Sequence, residues 1–111
     1  MSEQQSRAHI ARFNAAVAGG DWADFTAGFA ADAVMTFDGL PGGSSVGPFV
    51  GRDAIAEAYA TRPPDETMDL LAVRDDGESD LITFRWSGGG TGTITIRRRA
   101  DLITHLAVVF D

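Results

Sequence analysis

The chain has 111 residues, 44% of them apolar, 23% charged and 9% aromatic, a length and balance that argue for one compact domain rather than two. Sixteen Asp+Glu against nine Lys+Arg give a formal charge of -7 and a pI near 4.6, which speaks against nucleic acid or anionic lipid as partners, since both attract positive charge. There is no cysteine, which excludes disulfides, thiolate nucleophiles and cysteine-ligated metal.

Glu3 and two glutamines occupy the start of the chain, where a secretory signal has a basic and then an apolar stretch, and no apolar run approaches the roughly 20 residues that span a bilayer. A cytoplasmic protein without membrane contact is expected. From Ser2 to Gly19, Ile10, Phe13 and Val17 recur at helical spacing among alanines, and Gly19-Gly20 supplies the residue type that ends a helix in a left-handed conformation. Asp21 is placed to cap a short second helix carrying Trp22, Phe25 and Phe29, which ends near Phe29 to Ala31. Ala33, Met35 and Phe37 alternate with Val34 and Thr36 as in a strand with Met35 and Phe37 on its buried face. Gly39 to Gly51, rich in glycine, proline and serine, reads as a loop with only Phe49-Val50 able to add a short strand. A third helix starts near Arg52, presents Ile55, Ala58 and Tyr59 on one side, and stops at Pro63-Pro64.

Four strands complete the chain, over about Thr67 to Arg74, Asp80 to Ser87, Thr91 to Arg99 and Leu102 to Phe110. The fold class is therefore α+β, with three N-terminal helices packed on a curved, mainly antiparallel sheet.

Three stretches carry a family resemblance: Phe13 to Trp22 (FNAAVAGGDW), Phe29 to Val34 (FAADAV) and Gly47 to Ile55 (GPFVGRDAI). Together with the strand order after Pro64, they resemble the nuclear transport factor 2-like superfamily, closest to its SnoaL-like and ketosteroid-isomerase-like branches. The resemblance covers nearly the whole chain and implies a cone-shaped α+β barrel with a ligand pocket, and a homodimer. It implies a small-molecule enzyme of the isomerase, dehydratase or cyclase type, acting by cofactor-free acid-base chemistry on an apolar, carbonyl-bearing or polycyclic compound. A non-catalytic ligand-binding or protein-interaction dimer is the alternative, because this superfamily hosts both. The steroid-isomerase catalytic set does not carry over: Phe13 stands at the tyrosine position, Phe37 at the base position, and Ile94 or Ile96 near the second donor.

Within that cone His105, flanked at alternate positions by Ile103, Ala107 and Val109, is the candidate base, since an imidazole among apolar groups stays neutral near physiological pH. A core or dimer-facing histidine is the alternative. Asp38 could join it if a bulge turned the strand inward, although Asp-Gly more commonly makes a turn. Tyr59 could donate a proton or hydrogen bond, or simply pack against Ile55. The wall of the cone is expected to include Phe13, Trp22, Met35, Phe37, Ile55, Trp86, Ile103 and Val109. Arg85 could orient a carboxylate or enolate if its face looked inward. Arg97 to Arg99 read as a solvated cluster balanced by Asp101, and His9 as exposed. The two histidines lie far apart in sequence without a ligand motif, so no metal and no cofactor is expected. Gly42-Gly43 and Gly88 to Gly90 lack the setting of a phosphate loop.

Overall fold

The computed structural model describes residues 2–40, 44–61 and 63–110. Helix α1 runs from Ser2 to Gly19, α2 from Trp22 to Thr26 and α3 from Arg52 to Thr61. Gly20 has φ 75° and its amide donates to the Ala16 carbonyl at 2.7 Å, so the glycine pair ends α1 as expected. Asp21 caps α2, its side chain accepting from the Asp24 amide at 3.3 Å. The second helix is shorter than the aromatic stripe suggests. Phe29 already begins strand β1 (Phe29–Leu40), pairing with Ile103, while the Ile103 amide donates to the Gly28 carbonyl at 3.0 Å.

Strands β2 (Ser44–Val50), β3 (Met68–Asp75), β4 (Ser79–Trp86), β5 (Thr91–Arg99) and β6 (Leu102–Phe110) join β1 in one six-stranded sheet of order β2-β1-β6-β5-β4-β3. Only the β1–β6 pair among these neighbours is parallel, so the sheet is mixed and mainly antiparallel. The glycine-rich stretch is the main correction here. Ser44 to Val50 is a full strand paired with β1 rather than a loop, while Gly42-Gly43 fall outside the described residues. Its ladder carries register shifts on both sides of Phe37, which accommodates Gly47, at φ 101°, within the strand.

The helices pack on one face of this curved sheet, α1 against β3 and β4, α3 against β1 and β2, with α2 bridging them. That face contributes Met35, Ile82, Phe84, Ile94, Ile96, Leu106 and Val108, and the helices contribute Ile10, Phe13, Trp22, Phe25, Ile55 and Tyr59. Asn14 ties α1 to the start of β3 through both halves of its amide: Nδ2 donates to the Met68 carbonyl and Oδ1 accepts from the Met68 amide, each at 2.8 Å.

Alternation fails at one decisive place. Arg97 pairs with His105 and Arg98 with Ile103, so Thr104 has no residue opposite it on β5. This bulge reverses the side-chain direction within β6. Ile103, Leu106 and Val108 are buried, whereas His105 and Val109 lie exposed on the outer face.

Candidate ligand-binding site

Between α3, the β1–β2 ribbon and the ends of β4, β5 and β6 lies an open cavity of about 1090 Å³. Its apolar wall is built from Met35, Phe37, Phe49, Ala58, Trp86 and Phe110. Met35 and Phe37 reach it because β1 alternates regularly against β6 from Val34 to Asp38. Phe37 meets Phe49 and Phe110 edge-on at 6.4 and 6.5 Å between ring centres, and Trp86 meets Phe110 at 5.9 Å. These spacings are those of favourable aromatic pairs.

Tyr59 supplies the buried polar atom of the wall. Its hydroxyl contacts the Met35 sulfur at 3.4 Å, and a thioether is a weak acceptor. Burial pushes the Tyr59 ionisation well above the usual tyrosine range, so the group is a neutral hydroxyl at any physiological pH. The charged residues among the described lining, Glu57, Asp65 and Glu66, are all acidic. Glu66 is held in place by the Gly88 amide, which donates to Oε1 at 2.6 Å.

Of the residues expected at the site, Met35, Phe37, Tyr59 and Trp86 come together around this cavity. Phe13, Trp22 and Ile55 are buried in the core rather than in its wall, with Phe13 6.1 Å from the Trp86 ring and Trp22 stacked on Tyr59. His105, the expected base, is exposed outside the cone with Nδ1 3.3 Å from the Thr104 hydroxyl, a direct consequence of the Thr104 bulge. Val109 is 43% exposed on the same outer face. Asp38 is exposed too, because the β1–β6 ladder has no shift at that point to turn it inward. Arg85 is also exposed. Ile103 opens onto a second, smaller cavity.

Phe49 and Phe110 were missed as wall residues. Phe49 was hidden by the loop-like composition around it, and Phe110 by the parity assumed for β6; counting forward from the buried Ile103 reaches Phe110 on the inner face only once the Thr104 bulge is included. His9, expected to be exposed, is 8% exposed and packs on Phe25 at 5.2 Å. The arginine cluster is not uniformly solvated either: Arg98 pairs with buried Asp80 at 2.6 Å, and Ser6 shares that carboxylate at 3.5 Å. Arg97 and Arg99 stay exposed, contacting Ser79 and Asp32.

A six-stranded curved sheet with helices on one face and an apolar cavity at one end defines the NTF2-like class of cone folds. The SnoaL-like domain model matches residues 10–108, and the chain belongs to that family. Among solved structures, an NTF2-like protein from Anabaena variabilis is similar at 18% identity and TM-score 0.74, covering 99% of this chain and 89% of that one. A protein from Sphaerobacter thermophilus is similar at 22% identity and TM-score 0.72, covering 96% and 93%. A candidate ketosteroid isomerase from Kribbella flavida is similar at 17% identity and TM-score 0.68, covering 97% and 78%. At these identities the likeness is one of fold. No curated protein matches the chain by sequence. Among the described residues no helix is long and apolar enough to cross a membrane.

Proposed function

We propose that the cone takes up a neutral, largely apolar small molecule bearing a carbonyl group, with the Tyr59 hydroxyl as its hydrogen-bond donor. The observation that carries this reading is the Tyr59–Met35 contact: a buried hydroxyl in an aromatic cavity whose acceptor among the described residues is a sulfur at 3.4 Å. A ligand carbonyl is a stronger acceptor than a thioether, so binding would improve that hydrogen bond while burying apolar surface. The acidic rim of Glu57, Asp65 and Glu66 disfavours a ligand carboxylate.

Isomerase, dehydratase or cyclase chemistry calls for a base and a donor aimed at the same part of the substrate. Tyr59 offers the donor; His105 and Asp38, the candidate bases, lie on the outer face. The carboxylates that do line the cavity are Glu57, Asp65 and Glu66, of which Glu57 and Asp65 are exposed and Glu66 is engaged by the Gly88 amide, so binding is the reading taken first for this pocket. A thermal-shift screen of neutral ring ketones, each beside its carboxylate analogue, tests it. Ketones should raise the melting temperature by roughly 4 °C for each kcal/mol of binding linkage, and the carboxylates should not. No stabilisation by any ketone, or equal stabilisation by the acids, would remove the proposal.

A second copy of the chain is proposed to cover the outer sheet face. Its centre carries Val34, Thr36, Thr93, Thr95 and Ala107, neighbours across three strands with no helix over them. Asp38 and Arg97 flank this patch with opposite charges, an arrangement that a two-fold self-pairing can satisfy.

A further inference from the structure

A second cavity, of about 180 Å³, lies at the junction of α1, the α2–β1 turn and the β5–β6 hairpin. Its polar lining is Gln5, His9, Arg12, Arg98 and Asp101. Several of these groups are already engaged. One Arg98 nitrogen, Nη1, is spent on Asp80, and the Gln5 amide donates to Asp101 at 3.1 Å. The His9 ring and the Arg12 guanidinium have no hydrogen-bond partner among the described residues. His9 is more than nine-tenths buried and opens onto this cavity. Among the described residues no side-chain nitrogen or oxygen is both sealed from solvent and unpartnered, so the polar edge of this ring is reached from the cavity, where a buried polar group looks for its partner.

The field at that ring is positive. His9 is lowered to about 3, first by desolvation and then by the charges of Arg98 and Arg12. Gly28 allows the arrangement: a Cβ there would lie 3.3 Å from Arg12 Nη1, so the absent side chain leaves the guanidinium room to fold over the turn. The opposing charges are two. Asp80 is neutralised by its close pair with Arg98, and Asp101, exposed to solvent, is held by Gln5.

We propose that this cavity binds a small oxyanion, a carboxylate or a phosphate, held by the Arg12 guanidinium, the N–H of His9 and the Arg98 nitrogens that Asp80 leaves free. The volume admits such an ion with some of its water, since a water molecule takes up about 30 Å³. The donors are of the charge-assisted kind that recognise these groups. The site is separate from the cone and has the opposite charge preference, so it stands whether or not the ketone reading does.

The two histidines of the chain make the test direct. Ring resonances of His9 and His105 are followed by NMR during titration with sodium phosphate, and separately with sodium acetate, at constant ionic strength in chloride. The expected result is a saturable shift of His9, with His105, exposed on the outer sheet face, serving as the control. Arg12 is exposed, so Arg12→Gln should leave the fold intact and weaken anion binding about tenfold or more. Binding should also raise the His9 pKa, a readout that loss of packing alone would not reproduce. Saturation by phosphate only identifies a phosphate site, and saturation by acetate a carboxylate site. The proposal is overturned if neither anion shifts His9 saturably up to tens of millimolar, or if Arg12→Gln titrates like the parent.

Discussion

The Tyr59 ring lies flat on Trp22, with 4.6 Å between ring centres and parallel planes. Phe25 closes on both edge-on, at 5.4 Å from each. Two helix-borne aromatics thus fix the tyrosine ring, and its hydroxyl end is left to meet Met35 and the cavity. A group held this way loses little freedom on engaging a ligand.

Removing that hydroxyl should separate binding from stability. Tyr59→Phe keeps the stacking and gives up a hydrogen bond to sulfur, so the unliganded protein should lose no more than about 1 kcal/mol. Affinity for a carbonyl ligand should fall roughly 5- to 10-fold, by the usual value of a hydrogen bond. Calorimetric titration of both proteins with a ketone from the screen measures this, and equal affinities would take Tyr59 out of the site.

His9 sets an acid limit on stability. The folded protein holds it at about 3, below the ordinary 6.5 of an unfolded chain. As pH falls below 6.5 the unfolded chain takes up a proton that the folded one refuses. Stability is therefore fully present above that value and is lost toward pH 3, at up to about 1.4 kcal/mol per pH unit. Urea unfolding in chloride buffers from pH 7 to 5, before most carboxylates titrate, should show this slope, and His9→Phe should flatten it.

The Arg98–Asp80 pair, at 14% and 8% side-chain exposure, is buried enough that one partner alone is costly. Asp80→Ala strands the Arg98 charge beside Ser6 and should destabilise by about 3 kcal/mol or more. Combining Asp80→Leu with Arg98→Met should recover most of that loss, as replacing a buried pair by apolar groups often does. Denaturation midpoints of the single and double variants decide between a costly orphan charge and a merely local contact.

Gly92 faces inward on β5, where a Cβ would come within 2.7 Å of the Val109 carbonyl and 2.8 Å of the Phe84 ring. Gly92→Ala should therefore cost about 1–3 kcal/mol, the range for overpacking a core. A thermal melt no lower than that of the parent would mean that β5 and β6 can separate without penalty.

The outer face is tested by charge. Light scattering of the parent at micromolar concentration should give twice the chain mass, and Ala107→Glu, at the centre of the patch, should give a monomer. A parent that runs as a monomer removes the pairing.

Local chemistry alone settled much of this protein. The spacing of Ile10, Phe13 and Val17, the glycine pair after them, the Asp21 cap and Pro63-Pro64 mark helix ends that depend on neighbours a few residues away. The alternation of Ile82, Phe84 and Trp86 likewise fixes the buried face of β4 without knowledge of its partners. Site membership was a different matter, because it depends on parity counted across strands that meet only in three dimensions. Thr104, unpaired opposite Arg97 and Arg98, turns His105 out and Phe110 in, and nothing in the sequence of β6 marks where the extra residue falls. Ser44 to Pro48 show the same limit: beyond the Phe49-Val50 pair that the sequence offers as strand, this stretch is extended only because β1 supplies its hydrogen-bond partners. The burial of His9, expected to be exposed, and the pairing of Asp80 with Arg98 were not legible in the sequence for a related reason. His9 and Asp80 lie about seventy positions apart, and only the packing of α1 on β3 and β4 brings both to Arg98, in surroundings where charge matters because water has been withdrawn.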